Sequence, residues 1–202
     1  LQSLEQQENA VATINSTVIS GSNAIPALEP LLAGKRQLLL VTDSNIVRLD
    51  AVAHIRALLS NDGRQVTLID NVPAEPGHHD VATLLESVKG LNVEMVIGIG
   101  GGSVLDVAKL LSVLCHPESP SLDAMLAGEK PLHRVASVLI PTTAGTGSEA
   151  TPNAILAIPE QNTKVGIIAP VLLPDYVALL PELTTSMPAH IASSTGIDAL
   201  CD

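Results

Sequence analysis

Gly98-Ile99-Gly100-Gly101-Gly102-Ser103-Val104-Leu105-Asp106-Val107-Ala108-Lys109 is the stretch that decides the fold of this 202-residue chain. The apolar run from Val93 to Ile99 leads into a glycine cluster, and the cluster leads into apolar residues spaced for an amphipathic helix. The pattern reads as strand, tight turn and helix start. Gly100, Gly101 and Gly102 remove every β-carbon from the turn, so backbone N–H groups can approach an anion lying over the helix N-terminus. A phosphate is the natural ligand. Ser103 reads as the helix cap, with Asp106 three residues on completing a capping-box-like pair.

The same residues exclude two better-known phosphate loops. The dinucleotide fingerprint Gly-x-Gly-x-x-Gly would need glycine where Ser103 stands, and a Walker loop would need Gly-Lys-Ser/Thr, whereas Lys109 lies two turns into the helix. A second small-residue loop, Pro141-Thr142-Thr143-Ala144-Gly145-Thr146-Gly147-Ser148-Glu149, follows another apolar strand, Val135 to Ile140. Two such loops in one domain imply a ligand held between them.

Working outward, strand and helix alternate. Ala12 to Ile19 reads as an initial strand pair, Ala24 to Leu32 as a helix, Gln37 to Thr42 as a buried strand and Ile46 to Leu59 as a helix. Gln65 to Ile69 follows as a strand, Asp80 to Lys89 as a helix and Val93 to Ile99 as a strand. The expected fold is α/β, a doubly wound parallel sheet with helices on both faces and a ligand crevice at the carboxyl ends of its strands. Asp43, Gly100 to Ser103 and Thr142 to Thr146 fall at those ends. After Asp175 the pattern changes, and Pro181 to Asp202 reads as successive short helices opening a second, helical region.

Bulk properties narrow the class. A net charge of −11 with no basic run argues against nucleic acid or an anionic membrane surface as partner. Pro and Gly interrupt every apolar stretch before the roughly 20 residues needed to span a bilayer. The N-terminal residues lack a secretory pattern, so the expected compartment is the cytoplasm. Cys115 and Cys201 lie far apart without metal-type spacing and read as reduced, buried thiols. Tyr176 is the only aromatic residue, so the core must be aliphatic and no Phe or Trp can stack on an adenine ring.

Gly-Gly-Gly-Ser-x-x-Asp-x-Ala-Lys (100–109) and Pro-Thr-Thr-Ala-Gly-Thr-Gly-Ser-Glu (141–149) resemble the two principal motifs of the iron-containing (group III) alcohol dehydrogenases. The resemblance continues through Val41-Thr42-Asp43, Lys164-Val165-Gly166-Ile167, Leu173-Pro174-Asp175, Pro181-Glu182-Leu183-Thr184 and Ser194-Thr195-Gly196-Ile197-Asp198-Ala199-Leu200. It implies a dinucleotide-binding α/β domain over 1–180. Residues 181–202 would begin a helical metal-binding domain whose remainder is absent from this chain. The implied activity is NAD-dependent interconversion of a primary or secondary alcohol with its aldehyde or ketone, assisted by a divalent metal. The alternative is a nucleotide-binding fragment or an inactive relative without turnover.

The resemblance assigns cofactor contacts to Asp43, Gly100, Gly101, Gly102, Ser103, Asp106, Thr142, Thr143, Thr146 and Lys164. Asp43 would accept from ribose hydroxyls, or simply cap the helix that follows it. A carboxylate there repels a 2′-phosphate and so favours NAD over NADP. Asp106 and Lys109 also read as an ordinary exposed i,i+3 pair, and Lys164 as a solvated charge. For the metal, Fe2+ or Zn2+, the family pattern Gly-x-Asp-Ala-Leu-x-His matches Asp198 and then Asp202, where the second donor becomes a carboxylate. The expected partner is a small alcohol or aldehyde, and a homodimer is compatible with the pattern. The adjacent His78 and His79 should point in different directions. They, and the isolated His54, His116, His133 and His190, read as surface or capping residues.

Overall fold

A computed structural model describes residues 16–21, 24–143 and 147–184. Thr146, His190, Asp198, Cys201, Asp202 and the segment Ala12 to Asn15 of the expected first strand pair lie outside the described residues.

The chain opens with β1 (Thr17–Ser20) and a 3-10 helix over Pro26–Leu32. An α-helix is the sequence expectation for that second segment. Pro30, inside the segment, has no N–H to donate and its ring crowds the carbonyl four residues back, which breaks regular α winding, whereas Pro26 stands in the first turn where no donor is needed. Next come β2 (Gln37–Val41), a 3-10 turn over Ile46–Arg48, α1 (Asp50–Leu59) and β3 (Gln65–Ile69). The helix expected from Ile46 to Leu59 is broken at Leu49, whose ψ of 142° is extended. The chain continues through α2 (His78–Ser87), β4 (Met95–Gly100), α3 (Gly102–Leu114), α4 (Leu122–Leu126) and β5 (Ala136–Pro141).

Beyond β5 the alternation stops. β6 (Asn153–Ile158) and β7 (Thr163–Ile168) form an antiparallel hairpin outside the main sheet. The change of pattern expected after Asp175 comes later, because Tyr176–Leu179 is a further strand, β8, before α5 (Pro181–Thr184).

Six strands form one parallel sheet in the order β1-β8-β5-β4-β2-β3. The twofold period of the strands divides the core. Leu38, Leu40, Ile97 and Val138 face the layer that contains Val52 and Ile55 of α1, while Leu39, Val41, Val96 and Leu139 face that of α2 and α3. Helices therefore cover both faces, as an all-parallel sheet requires. Each fully buried aliphatic side chain contributes about 1.5–3 kcal/mol, which lets the core dispense with aromatic rings.

At the amino end of the sheet, Asp175 joins three strands. Its carboxylate takes both Arg134 guanidinium nitrogens at 2.6 and 2.8 Å and accepts from Ser137 N at 3.0 Å, while its carbonyl accepts from Thr17 N. This motif residue lies at the edge opposite the loops that follow the strands, and its contacts are structural.

Candidate functional site

The strand order reverses between β2 and β4, because β2 leads outward to β3 whereas β4 leads the other way to β5. Such a switch point opens a crevice at the strand carboxyl ends. Thr42 closes its floor, since its hydroxyl donates to Ile99 O at 2.7 Å while its N–H donates to Ile69 O. Nothing in the sequence singles out Thr42 beyond its place beside Asp43.

Glycines bring α3 against β4. A β-carbon on Gly98 would lie 2.5 Å from Ala108 Cβ, and one on Gly100 would lie 2.7 Å from Val104 Cβ. Gly101 is extended (φ −83°, ψ −170°) and is the helix cap, its carbonyl accepting from Leu105 N at 3.0 Å. This corrects the expected role of Ser103. The serine is already the second helical residue, and with the cap shifted to Gly101 the three-residue spacing to Asp106 no longer forms a capping box.

Across the crevice, Thr142 N donates to Gly100 O at 3.0 Å, and the Thr143 hydroxyl is buried with no hydrogen-bond partner among the described residues. A β-carbon on Gly101 would point at Thr143, 3.8 Å from its Cγ2 and 3.9 Å from its Oγ1. An open helix N-terminus, a glycine cradle and an orphaned hydroxyl fit one phosphate-bearing ligand. The Ser148 hydroxyl crowds the other side, 3.0 Å from where a Gly102 β-carbon would stand. Asp43 follows β2 at the same edge, and its Oδ1 accepts from Asn45 N at 2.9 Å and Ile46 N at 2.7 Å. Its carboxylate thus starts the 3-10 turn, while the α-helix that follows begins after Leu49, beyond its reach.

Asp106 and Lys109 are not an exposed pair. Lys109 is 1% exposed, and its ammonium donates to Thr151 O, Thr151 Oγ1 and Asn153 O at 3.0 to 3.1 Å, with Asp106 Oδ1 at 3.7 Å. Asp106 Oδ2 accepts from Ile155 N at 3.1 Å. Both residues therefore hold the hairpin to α3. Burial raises the Asp106 carboxyl above the usual carboxylate range and pulls the Lys109 ammonium below its usual value, the latter opposed by Asp106 itself. Glu149, with a buried oxygen lacking a hydrogen-bond partner among the described residues, adds a further charge near Lys109.

Ser103, Asp106 and Lys164 come together along a cleft of about 190 Å3 between α3 and the hairpin, completed by Glu75, Pro76, Ile155 and Ala157. Lys164 reaches over it from β7, 3.6 Å from Glu75 and largely exposed. Cys115 caps the C-terminal end of α3, the end opposite Ser103, and burial pushes its thiol up to about 11. The residue is half-buried where the sequence expectation is a buried thiol.

The sequence profile of iron-containing alcohol dehydrogenase matches residues 15–181. Long-chain-alcohol dehydrogenase 1 of Geobacillus thermodenitrificans is 34% identical over 170 residues, which are 83% of this chain and 42% of that protein. An iron-containing alcohol dehydrogenase from Thermotoga maritima superposes with a TM-score of 0.79 at 32% identity, covering 92% of this chain and 52% of that one. A sulfoacetaldehyde reductase from Bifidobacterium kashiwanohense, solved in complex with NAD+, gives a TM-score of 0.76 at 26% identity over 91% and 49% of the two chains. The chain thus spans about half the length of these solved relatives.

Proposed function

The chain belongs to the iron-containing alcohol dehydrogenase family, and from that premise we propose that it provides the nucleotide-binding domain, over residues 1–180, of an NAD-dependent oxidoreductase acting on a small alcohol or aldehyde. The observation that carries this reading is the Gly101 cradle at the switch point, open over a helix N-terminus and faced by the unpartnered Thr143 hydroxyl.

In this reading the N–H groups of Gly101, Gly102 and Ser103 bind the cofactor's diphosphate, and the Thr143 hydroxyl donates to it. Thr142 and Thr146 flank the same loop. Asp43 retains carboxylate acceptor capacity for ribose hydroxyls beyond its turn-capping bonds, and its negative charge disfavours a 2′-phosphate. Ser103, Asp106 and Lys164 bound the cleft that continues from the phosphate site toward the hairpin. Lys109, fully engaged in holding the hairpin, keeps that wall in position. A bound nicotinamide would supply hydride acceptance or donation, and a bound divalent cation, Fe2+ or Zn2+, would supply a Lewis acid for the substrate oxygen. Asp198 and Asp202, which lie outside the described residues, are the residues that would hold the cation, both offering carboxylate oxygens.

Fluorescence titration tests the cofactor assignment. NADH should bind more tightly than NADPH, and Asp43→Gly should narrow the gap by roughly 1–3 kcal/mol, the scale of one charged contact. Preference for NADPH in the unmodified protein would remove Asp43 from the ribose site. Alcohol-dependent NADH formation with Fe2+ or Zn2+ present tests turnover. Binding without turnover would leave a nucleotide-binding protein rather than an enzyme.

A further inference from the structure

Three metal-ligating side chains from distant parts of the chain meet at the outer end of the hairpin. His78 and His79 are the first two residues of α2, and Glu160 lies in the 3-10 turn Pro159–Gln161 between β6 and β7. The adjacent histidines do not diverge as their spacing suggests. Their ring centroids are 3.8 Å apart and both Nε2 atoms approach the Glu160 carboxylate, His78 at 2.9 and 3.1 Å from its two oxygens and His79 in direct contact with Oε1. One donor atom from each residue lies within 4.8 Å of the others.

The backbone beneath this cluster is fixed. Ala157 N donates to Pro76 O at 3.0 Å, and Gly77 forms a parallel bridge with Ala157. A β-carbon on Gly77 would lie 3.3 Å from Ala157 O, so glycine permits the approach. Asp80 accepts from Gly77 N at 2.8 Å and fixes the start of α2, while Asn162, left-handed at φ 50°, closes the hairpin turn. The histidines and the glutamate are therefore presented to each other by pinned segments, and His78 is only 17% exposed.

Two imidazole nitrogens and one carboxylate oxygen are a donor set for Zn2+ and its transition-metal neighbours. Around one tetrahedral cation with bonds of about 2.1 Å, donors stand about 3.4 Å apart. A slight opening of the three side chains brings them to that spacing, and water completes the fourth position. The other His/Glu grouping, His116, Glu118 and His133, is less prepared, since His116 Nδ1 already accepts from Glu118 N and the two rings lie stacked 4.9 Å apart.

We propose that His78, His79 and Glu160 bind a divalent transition-metal cation, Zn2+ in preference, which staples the start of α2 to the end of the β6–β7 hairpin. The site uses neither Asp198 nor Asp202. Its consequence is mechanical, because the stapled segments include Pro76 and Ala157 of the cleft wall. A cation bound only by the folded protein adds to its stability by mass action.

Equilibrium dialysis of the intact, chelator-stripped protein against Zn2+ tests this. The unmodified protein should bind one equivalent more than His79→Ala and Glu160→Gln, or bind that equivalent about tenfold more tightly. In the unmodified protein alone, Zn2+ should raise the thermal midpoint further than in either variant, and Cu2+ substituted at the site should show nitrogen couplings from imidazole. Asp198→Ala should keep this equivalent, which separates it from a cation at Asp198. His79 is 69% exposed, so its alanine variant will fold and carries the comparison if Glu160→Gln does not. Equal Zn2+ stoichiometry and affinity in the unmodified protein and His79→Ala would overturn the proposal.

Discussion

β4 and the β6–β7 hairpin both lean on α3, and they do so in different proportions of apolar and polar contact. Every residue of β4 is buried, and it meets the helix where Gly98 receives Ala108 and Gly100 receives Val104. β7 is exposed at most of its positions, Ile168 and Ile155 stand 63% and 47% exposed, and the hairpin is tied to the same helix by Lys109 and Asp106. One contact is a fit of shapes over a continuous surface. The other is a narrow apolar strip, Ala154, Leu156 and Ile167, joined by a few directional bonds to a buried charge pair. The comparison teaches that the phosphate cradle is built where strand and helix fit over their whole length, while the far wall of the cleft combines a narrower apolar contact with buried polar tethers.

The strongest way to break the rigid side is Gly98→Val. Its β-carbon would stand 2.5 Å from Ala108 Cβ and 3.2 Å from Leu139 Cδ2. Overpacking of this kind should cost about 3 kcal/mol, the upper part of the usual range, read by chemical denaturation. A loss under about 1 kcal/mol would mean that strand and helix can separate without harm, and the contrast would fail.

Gly101→Val sharpens the boundary between fold and site. Its β-carbon meets nothing closer than 3.8 Å, so the protein should remain folded, while the branched side chain occupies the space beside Thr143. NADH affinity should fall by about a hundredfold or more, which is about 2.7 kcal/mol. Unchanged affinity in a folded variant would show that the phosphates bind elsewhere.

Lys109→Met tests the tethered side. The substitution keeps much of the side-chain bulk but leaves the carbonyls of Thr151 and Asn153 without the ammonium that now satisfies them. The expected loss is about 2 kcal/mol, within the range for stranded buried acceptors. Amide hydrogen exchange should accelerate in β6 and β7 and stay unchanged in β4. Equal acceleration in both would show that the hairpin and the sheet open as one unit.

Where sequence expectation and structure agree, the signal is local. The run Val93 to Ile99 followed by three glycines specifies a strand and a close turn, because only residues without β-carbons pass there. Gln37 to Val41 and Gln65 to Ile69 are continuous enough in apolar and β-branched residues to be strands on any reading. The errors arose where distant residues compete for the same groups. Ser103 lost the cap to Gly101, and the helix expected from Ile46 divides at Leu49 after a turn that the Asp43 carboxylate starts. The hairpin departs from strand–helix alternation, with Asn153 to Ile158 and Thr163 to Ile168 flanking the turn-like interruption Pro159 to Asn162.

The sequence by itself determined the doubly wound sheet, the glycine loop at its crevice and the family, since each is written in contiguous residues whose local chemistry admits few alternatives. Only the tertiary structure decided which charges are buried. Lys109 is three residues from Asp106 on a helix, a spacing that elsewhere marks a solvated pair. It is buried because a hairpin more than forty residues on folds over it and offers carbonyls. His78 and His79 read as diverging until the hairpin turn brings Glu160 between them. Burial and convergence depend on contacts across long loops, and no spacing along the chain encodes those distances.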